Sequence, residues 1–157
     1  MRVVIDTDVL LSGLQSPSGA SRIIVIAVRE RLLTPIVNLG MLFEHEAVLK
    51  RPANLRATGF TRSDVDLFPD AWVGLSDRIV HRKPERPSVA DPDDAVFANA
   101  AVAGLADTLI TFNIGDYRLT DPRGGSLVVR LARPGEFLRR LTWRPSTTSL
   151  SGFLRRS

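Results

Sequence analysis

The chain has 157 residues, an apolar share of 44%, no cysteine and a formal charge of +4. That length suits one domain with a sizeable core, and the lack of Cys excludes disulfides and any thiolate metal site. No apolar run approaches a membrane span, and the N-terminus enters a strand with no secretory hydrophobic region, so a cytoplasmic location is expected. The basic residues are 19 Arg against 2 Lys. A pI near 10.6 suits a polyanionic partner such as nucleic acid, although a general enrichment in Arg would give the same balance.

In chain order, Val3-Val4-Ile5 reads as a strand buried on both faces and closed by Asp6-Thr7-Asp8. Ala20, Ile23, Ile24, Ala27 and Val28 fall at helical spacing after the turn-like Ser16-Pro17-Ser18-Gly19. Residues 32–37 predict a short strand, and residues 41–50 a helix stopped near Arg51-Pro52. Thr61 and Asp64 form a capping box for a helix that turns Val65, Phe68, Trp72 and Leu75 inward, with a break or kink expected at Pro69. Ile79-Val80 is a possible strand, and residues 83–89 are Pro-rich and expected to be extended. A helix over 93–104, strands over 108–112 and 127–129 and a final helix over 134–141 follow. Residues 1–144 would form the domain and residues 145–157 a Ser/Arg-rich tail. Strands alternating with helices predict an α/β fold: a three-layer α/β/α sandwich around a parallel sheet of four to five strands. Right-handed crossovers would place every strand's carboxyl end on one rim.

Carboxylates cluster at that rim. Asp6 ends a buried strand, where a carboxylate is costly without a partner and where ligands of open α/β folds bind; its alternative role is to cap the next helix. In Asp91-Pro92-Asp93-Asp94, Asp91 fits a helix N-cap and Pro92 the first helical position. Asp94 continues into the apolar stripe of Phe97, Ala98, Ala101, Val102 and Leu105, so it faces as the core does. On the helix from Met41, His45 centres the apolar arc and reads as a core residue. Glu44 and Glu46 flank that arc, and helical geometry does not choose between them. A second apolar strand ends in Thr111 and Asn113, with Asp116 close behind. Packed carboxylates repel, and a divalent cation relieves both repulsion and burial cost. An all-oxygen set suits Mg²⁺ or Mn²⁺.

On these residues the chain resembles the PIN-domain nucleases, most closely the VapC-like toxins of bacterial toxin–antitoxin pairs. The resemblance runs from Arg2 to about Leu141. It rests on residues 4–10, on Glu44 with Val48-Leu49-Lys50-Arg51-Pro52, on residues 91–94 with Phe97, and on residues 111–117. It implies a metal-dependent ribonuclease whose acidic cluster comprises Asp6, Glu44, Asp94 and the Asn113/Asp116 region, supported by Thr7, Asp8, Asp91 and Thr111. It is the resemblance that selects Glu44 over Glu46. The pattern departs at Asp8, where Asn is usual, at His45, where an apolar residue is usual, and at Asn113, where an acid is usual.

The expected reaction is hydrolysis of single-stranded RNA with one or two Mg²⁺ or Mn²⁺ ions. Arg118, Arg82 and Arg86 are the candidate phosphate contacts. The resemblance further implies a homodimer and an antitoxin protein partner. A haloacid-dehalogenase-type phosphohydrolase would also use Asp6 and Asp8, but no Lys follows Thr111 as that mechanism needs. A catalytically decayed PIN fold that only binds RNA or protein is the other alternative.

Overall fold

Val3, Val4 and Ile5 are at most 1% exposed, and Leu109 and Ile110 are fully buried. Successive strand side chains point to opposite faces, so such runs need cover on both sides of the sheet. The computed structural model, which describes residues 1–80, 95–117 and 129–141, shows how that cover arises. Five short strands, β1 (Arg2–Ile5), β2 (Thr34–Val37), β3 (Asp77–Arg78), β4 (Thr108–Ile110) and β5 (Arg130–Ala132), form one all-parallel sheet in the order β3-β2-β1-β4-β5. The flanking helices are α1 (Thr7–Gln15), α2 (Ala20–Arg29), α3 (Leu39–Leu49), α4 (Pro52–Thr58), α5 (Arg62–Val73), α6 (Ala95–Ala103) and α7 (Pro134–Arg139). The expected α/β architecture with a parallel sheet is therefore present. Among the described residues no helix is long and apolar enough to cross a membrane.

The strand order matters for function. The chain builds outward from β1 through β2 to β3, then returns to the other side of β1 to add β4 and β5. The rim where β1 and β4 end is thus a topological switch point, the place where open parallel sheets form a binding crevice. Ile5 pairs with Ile110 there, so Asp6 and Thr111 leave the sheet side by side.

Several local expectations are corrected. Helices α1 and α4 have no counterpart in the sequence-based expectation. Pro52 does end α3, but it also takes the first position of α4, where its missing N–H removes no helical bond. Gly59 closes that helix at φ 72°, a left-handed conformation natural to glycine. Pro69 does not break α5, which runs continuously through it. Phe68 and Trp72 on either side are fully buried and stack with ring centroids 5.5 Å apart, and that packing offsets the lost backbone bond. The strand expected at Ile79-Val80 lies at Asp77–Arg78, because Val80 is 90% exposed and only the Ile79 N–H still reaches the Val37 carbonyl, at 2.9 Å. The last strand among the described residues is Arg130–Ala132, with Leu131 and Ala132 in register with Leu109 and Ile110; of the expected 127–129 only Val129 is described, and it precedes the strand. Residues 127 and 128, residues 83–89, Asp93 and Asp94 at the expected start of α6, and the tail from 145 lie outside the described residues.

Gly13 brings α1 and α2 unusually close. A Cβ there would stand 2.6 Å from the Ser21 carbonyl oxygen and 2.6 Å from Val25 Cγ2, so only glycine fits.

Candidate active site

Asp6 occupies the N-cap position of α1, with φ −63° and ψ 149°, yet its side chain makes no capping hydrogen bond. Its backbone N–H donates to the Ile110 carbonyl at 3.0 Å, extending the pairing of β1 with β4 by one residue. The carboxylate turns to the rim instead. Oδ2 accepts from the Thr111 hydroxyl at 2.6 Å and makes a longer 3.4 Å contact with the Tyr117 hydroxyl. Thr111 is fully buried, and its hydroxyl in turn accepts from the Asn113 N–H at 3.0 Å. Burial pushes the Asp6 carboxyl above its ordinary value of 3.8; the Thr111 hydrogen bond pulls it back, and neighbouring Asp8 pushes it up again. Among the described residues Asp6 has no cationic partner.

Thr7 begins α1 and carries the site across to α3. Its hydroxyl lies 2.8 Å from Glu44 Oε1 and 3.0 Å from His45 Nδ1. A threonine hydroxyl has one hydrogen, and a carboxylate can only accept. Thr7 therefore donates to Glu44, and His45 donates to Thr7 from Nδ1. That assignment leaves Nε2 as a bare lone pair, and Nε2 has no hydrogen-bond partner among the described residues. The ring is wholly buried beside Trp72, edge-on at 6.5 Å, and Phe97 at 5.9 Å. Burial lowers its pKa to about 3. Glu46, on the other flank of α3, pairs with Lys50 instead. Asn38 sets the helix in place: its Oδ1 accepts from the Met41 N–H at 2.9 Å, and its Nδ2 donates to the Val96 carbonyl at 3.1 Å, tying α3 to the start of α6.

A comparison with known families covers the elements that build this site. The family model for the PIN domain matches residues 2–115. The chain belongs to the PIN-domain family. No curated protein and no solved structure matches it. PIN domains are typically nucleases, and such nucleases generally use divalent metals.

Within this PIN domain the remaining candidates fall into two groups. Asp8 is exposed on α1, Asn113 is exposed after β4, and Asp116 is exposed at the end of a short 3-10 turn over Ile114–Asp116. None of the three side chains makes a hydrogen bond or ion pair among the described residues. Asp91, Asp94, Arg82, Arg86 and Arg118 lie outside the described residues. Among the described residues no group of three or more His, Asp or Glu side chains stands close enough to hold a metal. The donors that are described still fit a hard cation. Asp6 is largely buried with hydroxyl and backbone partners but no cationic partner among the described residues, and Glu44 is held by Thr7; both offer oxygen alone.

Two residues of this site carry no role in the sequence reading. Tyr117 closes the apolar-to-polar run after β4, and a tyrosine beside a rim carboxylate is a signal for a hydroxyl donor. His45 reads correctly as a core residue, but its pairing with Thr7 depends on the meeting of α1 and α3. His45→Phe should test its protonation. The folded protein keeps His45 neutral while the unfolded chain protonates below 6.5, so this residue withdraws stability as pH falls from 6.5 toward about 3. Melts of both proteins from pH 7 to pH 4 should show His45→Phe gaining on the wild type as pH drops; a constant difference would contradict the buried neutral ring.

Proposed function

We propose that this PIN domain is a Mg²⁺- or Mn²⁺-dependent endoribonuclease acting on single-stranded RNA, and the toxin component of a toxin–antitoxin pair. The observation that carries the metal is the Asp6 carboxylate at the switch point, held by hydroxyls and without a cationic partner among the described residues. Asp6 and Glu44 would hold the ion, with Asp94 joining from the segment before α6 and Asn113 or Asp116 completing the set directly or through water. When bound, the cation would supply Lewis-acid charge to the phosphodiester oxygens. The chain's own part is orientation. Thr111 and Tyr117 fix one carboxylate oxygen of Asp6, and the His45–Thr7 pair fixes Glu44, so both acids are held in place before substrate arrives. RNA suits the basic balance of the chain, and an acidic rim suits an arginine of an antitoxin peptide. A homodimer completes the proposal.

The deciding assay uses labelled single-stranded RNA in Mn²⁺. Cleavage should vanish on adding EDTA and also in Asp94→Asn. Loss with EDTA but retention in Asp94→Asn would reject this acidic set. Asn113, a neutral amide in the last acidic slot, favours a second reading: an RNA-binding module without catalysis. Retained RNA binding with no cleavage at millimolar Mn²⁺ would favour that reading.

A further inference from the structure

A cavity of about 520 Å³ opens beside the rim. Its wall begins at Phe112, the residue after the threonine that holds Asp6, so it is continuous with the candidate active site. The opposite wall is the start of α2. Gly19 caps this ten-residue helix at φ 106° and has no side chain to bond it, so among the described residues the first-turn N–H groups have no capping side chain. They carry the positive end of the helix dipole, which favours an anion.

A separate observation points the same way. Ser21 is only 5% exposed and lines the cavity, and its hydroxyl has no hydrogen-bond partner among the described residues. Two arginines from the α7 segment complete the wall. Among the described residues Arg133 uses only its Nε, on the Phe112 carbonyl at 3.4 Å, and Arg139 has no partner. The one carboxylate present, Glu136, accepts from the Arg133 backbone N–H at 3.4 Å. Phe112 itself is 40% exposed, a large aromatic ring left in solvent at the cavity mouth.

Anion donors with an exposed ring at one edge match a nucleotide whose base is unstacked, as in a single strand. A duplex would not offer a base face to Phe112. We propose that this cavity holds a nucleotide flanking the cleaved bond of single-stranded RNA, its phosphate on the α2 N-terminus, Ser21 and Arg139, and its base on Phe112. The choice of RNA rests on the ribonuclease proposal above. The phosphate contacts anticipated from sequence were Arg118, Arg82 and Arg86; Arg133 and Arg139 carry no sequence motif and enter only because α7 packs beside α2.

The test is RNA binding by the full chain in EDTA, so that cleavage does not enter. Fluorescence anisotropy with a labelled single strand should show Arg139→Gln about fivefold weaker, with a salt slope shallower by about 0.7. Phe112→Ala should be about tenfold weaker on the single strand and unchanged on a duplex of the same sequence. Both side chains are solvent-facing, and circular dichroism checks that the variants remain folded. Wild-type affinity in both variants, equal losses on the duplex, or no binding by the wild type would each overturn the proposal. Cleavage that persists while both variants bind normally would remove this subsite and leave the ribonuclease reading intact. Binding that depends on Arg139 and Phe112 in a protein that never cleaves would do the reverse.

Discussion

Asp6→Asn should abolish RNA cleavage while stabilising the metal-free protein. The activity side follows from its position. If Asp6 anchors the proposed cation, losing its carboxylate forfeits several kcal/mol of charge stabilisation, which corresponds to about a thousandfold or more in rate. The stability side follows from burial. Because the folded protein holds the Asp6 proton above its ordinary 3.8, the folded state binds that proton more tightly than the unfolded chain does. The wild type is therefore penalised progressively as pH rises through 3.8 toward the raised folded value. Asn keeps an acceptor for Thr111 without the charge. In EDTA, Asp6→Asn should match the wild type at acid pH and melt increasingly higher than it as pH rises toward neutral. A variant that melts lower at neutral pH would show that the carboxylate has a cationic partner in the folded chain.

The largest stability loss is expected for Trp72→Ala. Trp72 is 1% exposed, stacks on Phe68 at an interplanar angle of 21° and meets the His45 ring edge-on. Emptying that volume should cost about 3–5 kcal/mol. The void would lie against His45, so it should also loosen the hydroxyl that orients Glu44. Urea titration gives the comparison, with Leu67→Ala as the control. Leu67 is on the same helix but 55% exposed, and its truncation should cost no more than about 0.5 kcal/mol. Equal midpoints for the two variants would contradict the packing described for α5.

The parts of this fold that sequence reveals are those where one residue type decides the outcome. An apolar run closed by a carboxylate located β1 and Asp6, and the reciprocal Thr61–Asp64 cap located the start of α5. Helix α1 stays hidden because it follows β1 after a single residue, leaving no polar gap to separate the two periodicities. Helix α4 stays hidden because Pro52 ends one helix and opens another. At β5 it is pairing with β4, invisible in the sequence, that puts Arg130–Ala132 in the sheet. Sequence names Thr7 and Thr111 as supporting residues, but not the partners of their hydroxyls. The Thr111 and Tyr117 bonds to Asp6 join residues 105 and 111 positions apart, and they exist because β4 inserts beside β1 rather than at the sheet edge. Likewise, helical geometry leaves Glu44 and Glu46 equivalent, and it is Thr7 on α1 and Lys50 on the far flank that separate them.

The central claim is that Asp6 anchors a divalent cation at the junction of β1 and β4. Isothermal titration of Mn²⁺ into the wild type and into Asp6→Asn tests it most directly, since it requires neither RNA nor turnover. Binding in the wild type that disappears in Asp6→Asn is the predicted result; Mn²⁺ binding unchanged by the substitution would contradict it.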